Sequence, residues 1–302
     1  MPGETSCGSF AKCWLTKKEV SRKKGNLDMT ADLHCHTTAS DGTAAPAQLV
    51  RQAKDFGLKA LGITDHDTVS GVQEALDEGK RLGIEIVPGL ELNTDFEGVE
   101  LHVLGYYPDL EAPALHEALA RMRDARLSRL RAMLEKLAGL GIDIRVERVL
   151  QIAGEGSVGR PHVAQALQEL GYAKDIRDAF DRYLGPGRPA YVSRYKLTPE
   201  QGIELVASVR GIAVLAHPGS AGRDELIPRL VQTGLRGIEV YHTNHDKEME
   251  RKYAGIAEEM GLIMTGGSDY HGPGRKEGIR LGDRTVSLTV VQELKELKEK
   301  MR

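Results

Sequence analysis

The fold is read from DLHCHTTASDG, residues 32–42. Side chains along an extended segment alternate between its two faces. A strand over 31–36 therefore sets Leu33 and Cys35 toward a core and Asp32, His34 and His36 away from it. Two imidazoles on the same side at i and i+2 can reach one cation at ~2.0–2.1 Å, and Ser40-Asp41-Gly42 puts a carboxylate in the loop beyond. Taken alone, a His-x-His pair is more often incidental. The pattern recurs at other strand ends, however. Asp65-His66-Asp67 closes a strand at 60–64, Glu91 follows Pro88-Gly89, and His102 lies in a strand at 99–104. His217 follows 212–216, His242 follows 237–241, and Asp269 and His271 follow 263–266. Each has an ordinary reading: His66 as a salt-bridged loop residue, Glu91 as a helix cap, His217 as a turn histidine before Pro218-Gly219. Seven of the ten histidines at strand ends, with three or more carboxylates, point instead to a polynuclear metal site.

Between these ends lie helices at 47–56 and 69–82, closed by Gly57 and Gly83, and short strands at 85–88 and 90–93. A β-α unit of roughly 20–25 residues argues for parallel pairing, because each crossover must carry a helix. The rhythm breaks over 109–195. A long helical stretch at 113–140 places Leu115, Leu119, Met122, Leu130, Met133, Leu134 and Leu137 near helical spacing. Shorter helices at 161–170 and 175–183 and a Gly-Pro-Gly turn at 185–187 complete an all-α insertion. The alternation resumes through 198–209, 212–216, 225–233, 237–241, 247–260 and 263–266, with a terminal helix from 290. About seven units in all favour a distorted (β/α)7 barrel, formed by 29–108 and 196–302, over an open sheet. No strand is followed by a glycine-rich dinucleotide fingerprint. Residues 1–28 stand apart, with Lys12, Lys17, Lys18, Arg22, Lys23 and Lys24 but no apolar run of a secretory signal. They are expected to be a disordered tail ahead of a second possible start at Met29, and Cys7 and Cys13 are too weak a pair to imply metal.

With 302 residues, 40% hydrophobic and 28% charged, the composition is that of a globular protein. A net charge of −3 gives no global field for duplex nucleic acid. No apolar run approaches the ~20 residues of a membrane span. Three cysteines fit a reducing cytoplasm better than a disulfide framework.

The strings DLHCHTTASDG (32–42), ITDHDTVSG (63–71), PGLELN (88–93), LHVLGY (101–106), LAHPG (215–219) and GGSDYHG (266–272), in this order, resemble the PHP (polymerase and histidinol phosphatase) superfamily. The insertion, with GRPHVAQAL (159–167) and GPGRPAYV (185–192), looks like that of standalone phosphoesterases acting on nucleotides. The resemblance implies a distorted seven-stranded barrel holding two to three divalent ions, Mn, Fe or Zn. It assigns His34, His36, Glu91 and Asp269 to a first ion, and Asp41, His66 and His217 to a second. Glu91 would bridge to a third, shared with His102, and His271 would complete the set. A bridging carboxylate holds two cations ~3.5–4 Å apart, where a shared water loses its proton and attacks phosphorus. His242 or His217 then assists the leaving oxygen, and Asp67 positions His66 or a water.

The insertion forms a natural lid. Arg160 and Arg188, each before a proline, suit bidentate phosphate binding, Tyr191 suits base stacking, and His162 is either a further ligand or a phosphate contact. The plainer reading of Arg188 and Tyr191 is a salt bridge and internal packing. Arg121, Arg123, Arg126, Arg129 and Arg131, interleaved with acids, read as a solvated face before an oligonucleotide track. His116 and His245 read as surface residues, and Cys35 as core. The expected substrate is a small nucleotide, losing the 3′-phosphate of a nucleoside 3′,5′-bisphosphate, or a short 5′-phosphorylated RNA. Histidinol phosphate, a non-catalytic module and an amidohydrolase are the alternatives.

Overall fold

Eight strands share one sheet: β1 (Met29–Asp32), β2 (Ala60–Ile63), β3 (Glu85–Phe96), β4 (Val99–Tyr106), β5 (Ile212–Leu215), β6 (Gly237–His242), β7 (Ile263–Gly267) and the two-residue β8 (Val286–Ser287). Their order is β7-β6-β5-β4-β3-β2-β1-β8. The computed structural model describes residues 29–154, 158–193, 196–273, 275 and 278–301, so the expected tail 1–28 lies outside the described residues. All four residues of β2 and of β5 are buried, as in strands covered on both faces. The sheet curls until β1 and β7 nearly meet. There the Leu33 N–H donates to the Gly266 carbonyl at 3.2 Å, and the Asp269 N–H to the His34 carbonyl at 2.8 Å. Gly267 makes this seam possible: a Cβ on it would stand 2.4 Å from the His34 amide nitrogen.

The barrel is not parallel throughout. β3 pairs in parallel with β2 up to Ile63↔Pro88, then changes partner and runs antiparallel to β4 from Gly89↔Tyr106. β4 is also antiparallel to β5. Pro88, which has no N–H to give, sits where the partner changes. The expected break between 85–88 and 90–93 is therefore a single strand, closed into a hairpin by Glu97 and Gly98 at φ 53° and 86°. Because β4 runs backwards, its beginning lies at the same end of the barrel as the ends of its neighbours. That brings His102 to the site.

The helices are α1 (Pro46–Asp55), α2 (Val72–Leu82), α3 (Pro113–Ala138), α4 (Val146–Ala153), α5 (Arg160–Glu169), α6 (Ile176–Ala179), α7 (Pro199–Ser208), α8 (Ile227–Thr233), α9 (Lys247–Met260) and α10 (Leu288–Lys300). Their ends follow local chemistry. Pro46, Pro113 and Pro199 start three of them, and Gly83 and Gly261 end two in the left-handed conformation. Thr198 and Gln201 cap α7 reciprocally.

Helix α3 belongs to two cores. Leu115 and Met122 pack with Ile203, Val206 and Leu215 of the barrel, whereas Leu130, Met133, Leu134 and Leu137 pack with Val163, Leu167 and Leu184. Each of these large side chains adds ~1.5–3 kcal/mol by burial. The helical segment's own core thus runs from Leu127 to Val192, inside the 109–195 expected from the change in rhythm.

Candidate metal centre

Glu91 stands fully buried among five histidines carried by four parts of the barrel. Its Oε2 lies 3.2 Å from His34 Nε2, 3.2 Å from His36 Nε2 and 3.0 Å from His66 Nδ1. Its Oε1 lies 2.8 Å from His102 Nδ1 and 3.1 Å from His217 Nε2. Asp269 adds Oδ1 at 3.2 Å from His36 Nε2 and Oδ2 at 3.4 Å from His242 Nε2. On the outer side, Asp41 Oδ1 is 3.3 Å from His271 Nε2. Four groups come close enough to share an ion: His34, His36, Glu91 and Asp269; His36, Asp41, His66 and His271; His66, Glu91 and His102; and His34, Glu239 and His242.

The donors fit divalent cations. His34 Nε2, both ring nitrogens of His36, Glu91 Oε2, His102 Nε2 and His242 Nε2 are buried without a hydrogen bond. Each such atom costs ~1–3 kcal/mol inside a protein. A cation satisfies neutral imidazoles and carboxylates together. The ligand loops are held from outside. Asp65 accepts from the Thr37 N–H at 2.7 Å, Thr37 Oγ1 at 2.7 Å and Ser40 Oγ at 2.6 Å, which ties down the loop bearing Asp41. His271 Nδ1 donates to the Asp269 carbonyl at 2.8 Å, leaving Nε2 for the side of Asp41. Asp67, His217 and Asp269 take φ of 54°, 25° and 56°, half of the six non-glycine residues with positive φ among those described. Such backbone strain, of order 1–3 kcal/mol each, gathers at functional sites.

A family model, the PHP domain, matches residues 32–126. Along most of its length the chain is 34% identical, over 255 residues, to the 5′-3′ exoribonuclease Rnm of Salmonella typhimurium, covering 82% of this chain and 87% of that one. The chain belongs to the PHP family. Two other PHP relatives are as similar. One is the 3′,5′-nucleoside bisphosphate phosphatase of Chromobacterium violaceum, 34% identical over 80% of this chain and 87% of its own. The other is the phosphoribosyl 1,2-cyclic phosphate 1,2-diphosphodiesterase of Eggerthella lenta, 34% identical over 81% and 95%. A solved structure from Bifidobacterium adolescentis, assigned to the metal-dependent phosphoesterases, superposes with a TM-score of 0.79 at 31% identity, covering 90% of this chain and 98% of that one. This PHP protein is a metal-dependent phosphoric ester hydrolase with a distorted barrel. No helix among the described residues is long and apolar enough to cross a membrane.

Several positions in this PHP barrel differ from the sequence expectation. His271, not His217, stands with Asp41 and His66, while His217 reaches Glu91 from the other side. His242 was expected to meet a leaving oxygen, but its side chain is fully buried and turned to Asp269. His217, the other histidine expected in that role, is 14% exposed. Asp67 acts on His66 through Asn93, whose N–H and Nδ2 reach Asp67 at 2.9 and 3.1 Å while Nδ2 lies 3.1 Å from His66 Nδ1. Arg126 is not on a solvated face: it pairs with Asp67, and only 12% of its side chain is exposed. Its position had a signal, since Leu115, Leu119, Met122, Arg126, Leu130 and Met133 form one helical stripe. His245 is buried, with Nδ1 donating to the Val240 carbonyl at 2.9 Å and Nε2 accepting from the Gly219 N–H at 3.2 Å. Arg160 lies 5.8 Å from the Tyr191 ring, and both line a cavity of about 490 Å³ shared with Arg126, Arg129 and with Lys196, which is paired there with Asp95 and Glu100. Arg188 is exposed and does not line it. His116 is exposed and Cys35 is core, as expected.

The charges of this centre set how it loads. Burial opposes protonation of His36, but the carboxylates of Asp269 and Glu91, each 3.2 Å from Nε2, outweigh it and raise its pKa to about 9. For His66 burial dominates, and the pKa falls to about 3. A cation needs His36 neutral, so loading at pH 7 expels its proton and affinity rises with pH up to about 9. Calorimetry of Mn²⁺ binding at pH 7 in two buffers of different ionisation enthalpy is expected to show release of about one proton or more. Heats independent of the buffer would contradict this.

Proposed function

We propose that this chain hydrolyses phosphate esters of small nucleotides, removing the 3′-phosphate of nucleoside 3′,5′-bisphosphates or trimming short 5′-phosphorylated RNA. The cavity lined by Arg126, Arg129, Arg160 and Tyr191, where Lys196 is paired with Asp95 and Glu100, carries this reading. At about 490 Å³ it falls within the usual size of small-molecule sites. Arg126 links it to the centre through Asp67, next to His66.

Two to three cations, Mn, Fe or Zn, would be held by His34, His36, Glu91 and Asp269, by Asp41, His66 and His271, and by Glu91 and His102, with His217 beside the same carboxylate. When bound they neutralise phosphoryl oxygens and lower the pKa of water. The chain's own groups do the rest. Arg160 and Arg126 bind phosphate oxygens, and their planar forks fix its orientation. His162 accepts the Gly159 N–H at Nδ1, 3.0 Å away, so its neutral ring presents Nε2–H to the phosphate. Burial and the nearby Arg275 lower its pKa and keep it neutral. Tyr191 stacks the base, and the helices of 109–195 act as a lid that excludes water. Proton delivery to the leaving oxygen is assigned to His217, partly exposed, rather than to the fully buried His242.

The test is Mn²⁺-dependent phosphate release from adenosine 3′,5′-bisphosphate beside histidinol phosphate, with a 5′-phosphorylated RNA trimer followed by loss of its first nucleotide. Preference for either nucleotide substrate, weakened about 10-fold or more by Arg160→Ala, is expected from the loss of a charged hydrogen bond of ~1.5–3 kcal/mol. Preference for histidinol phosphate would overturn the nucleotide assignment.

A further inference from the structure

We infer that Glu239 is a positioning residue, a carboxylate behind the metal centre that sets the tautomer of His34 and holds the strained backbone of His217. This rests on reading the histidine cluster as a metal centre. Glu239 lies in the middle of β6 and is fully buried. The β6–β7 register shifts between Glu239 and Tyr241, so Glu239 and His242, three residues apart, both approach His34.

Both carboxylate oxygens of Glu239 are engaged. Oε1 lies 3.0 Å from His34 Nδ1, and Oε2 accepts the His217 N–H at 2.8 Å. An ionised carboxylate only accepts, and a neutral imidazole carries a single N–H. With a cation bound His34 is neutral, its single proton belongs on Nδ1 facing Glu239, and Nε2, 3.2 and 3.6 Å from Glu91 and Asp269, is left to meet the ion. With the other tautomer, an N–H would point into the ligand group. The second bond acts on the backbone. His217 sits at φ 25°, outside the conformations an L-residue prefers, and its N–H is anchored by Glu239 while its Nε2 reaches Glu91. One buried side chain thereby fixes two histidines that meet the same central carboxylate.

The competing reading makes Glu239 a ligand, with His34 and His242, of an additional ion. The donors argue against it. His34 Nδ1 is committed to the hydrogen bond. His242 Nδ1 accepts the Asn244 N–H at 3.1 Å, and its Nε2 turns toward Asp269. Neither histidine then has a lone pair left for an ion in front of Glu239.

The experiment is Glu239→Gln, read by zinc titration against a chromophoric chelator. Glutamine keeps the shape but has one accepting oxygen for two N–H donors, so either His34 changes tautomer or His217 loses its anchor. The expected result is one ion bound about 10–100-fold more weakly, the others unchanged, with near-ultraviolet circular dichroism and the Tm of the metal-free protein retained. Unaltered stoichiometry and affinity would overturn the proposal, as would an equal weakening of every ion, which marks general damage. If the variant does not fold, ¹⁵N-histidine NMR of the zinc-loaded unaltered protein decides, with the His34 signal identified by its loss in His34→Asn. Protonated Nδ1 with Nε2 on the metal is expected, and the reverse would overturn it. Failure of the unaltered protein to bind zinc would instead remove the metal-centre reading itself.

Discussion

Glu91→Gln is expected to lower kcat/KM for phosphate release about 10³-fold and to reduce the number of tightly bound ions. The carboxylate touches His34, His36, His66, His102 and His217, and belongs to two of the ligand groups. Removing one preorganised electrostatic group at a reacting centre costs about 10²–10³ in kcat, and weaker binding of the ions adds to that loss. Glutamine preserves volume and leaves the backbone links Glu91 N–H to the Asp65 carbonyl and Asp67 N–H to the Glu91 carbonyl, so the barrel itself survives. Steady-state kinetics with metal analysis of the purified variant gives the answer. A loss below 10-fold with full metal content would mean that the histidines hold their ions without a central carboxylate.

Gly267→Ala is expected to open the barrel. Its methyl group would stand 2.4 Å from the backbone nitrogen of His34, and backbone cannot swing aside as a flexible side chain can. β1 and β7 must separate, straining the bonds from Leu33 to Gly266 and from Asp269 to His34, which set two ligand-bearing segments. A cost of ~3 kcal/mol is at the upper end for overpacking and lowers Tm by roughly 5–10 °C in a chain of this size. Gly255→Ala is the control: exposed in α9, with nothing within 4 Å of the new methyl, it is expected to stabilise by ~0.5–1 kcal/mol. Differential scanning calorimetry of both variants compares them directly. Equal Tm values would show that the β1–β7 seam is loose.

Much of the centre is legible in the chain because strands impose period two. That rule separates His34 and His36 from Leu33 and Cys35, and punctuation by polar residues at strand ends reveals His66, His217 and Asp269. His34, His36, Glu91 and Asp269 come together as the resemblance implies, but which group His217 and His271 join was not legible. It depends on β4 running antiparallel and on which side of Glu91 each loop descends, and these are properties of the closed barrel rather than of any segment. The same limit hid His245, whose two ring nitrogens are satisfied by backbone groups at Val240 and Gly219. Glu239 is flanked by the buried Ile238 and Val240, and only its charge within an apolar strand marked it. Arg126 was readable, since it breaks the apolar stripe of α3, but five arginines on one helix suggested a solvated face.

The most direct test of a metal-dependent phosphoesterase is to strip the full chain with chelator, count residual metal by mass spectrometry, and follow phosphate release from adenosine 3′,5′-bisphosphate as Mn²⁺ is returned. The predicted result is no release from the stripped protein and recovery that saturates as two to three ions bind per chain. Full activity in the stripped protein, or recovery without stoichiometric binding, would contradict the account.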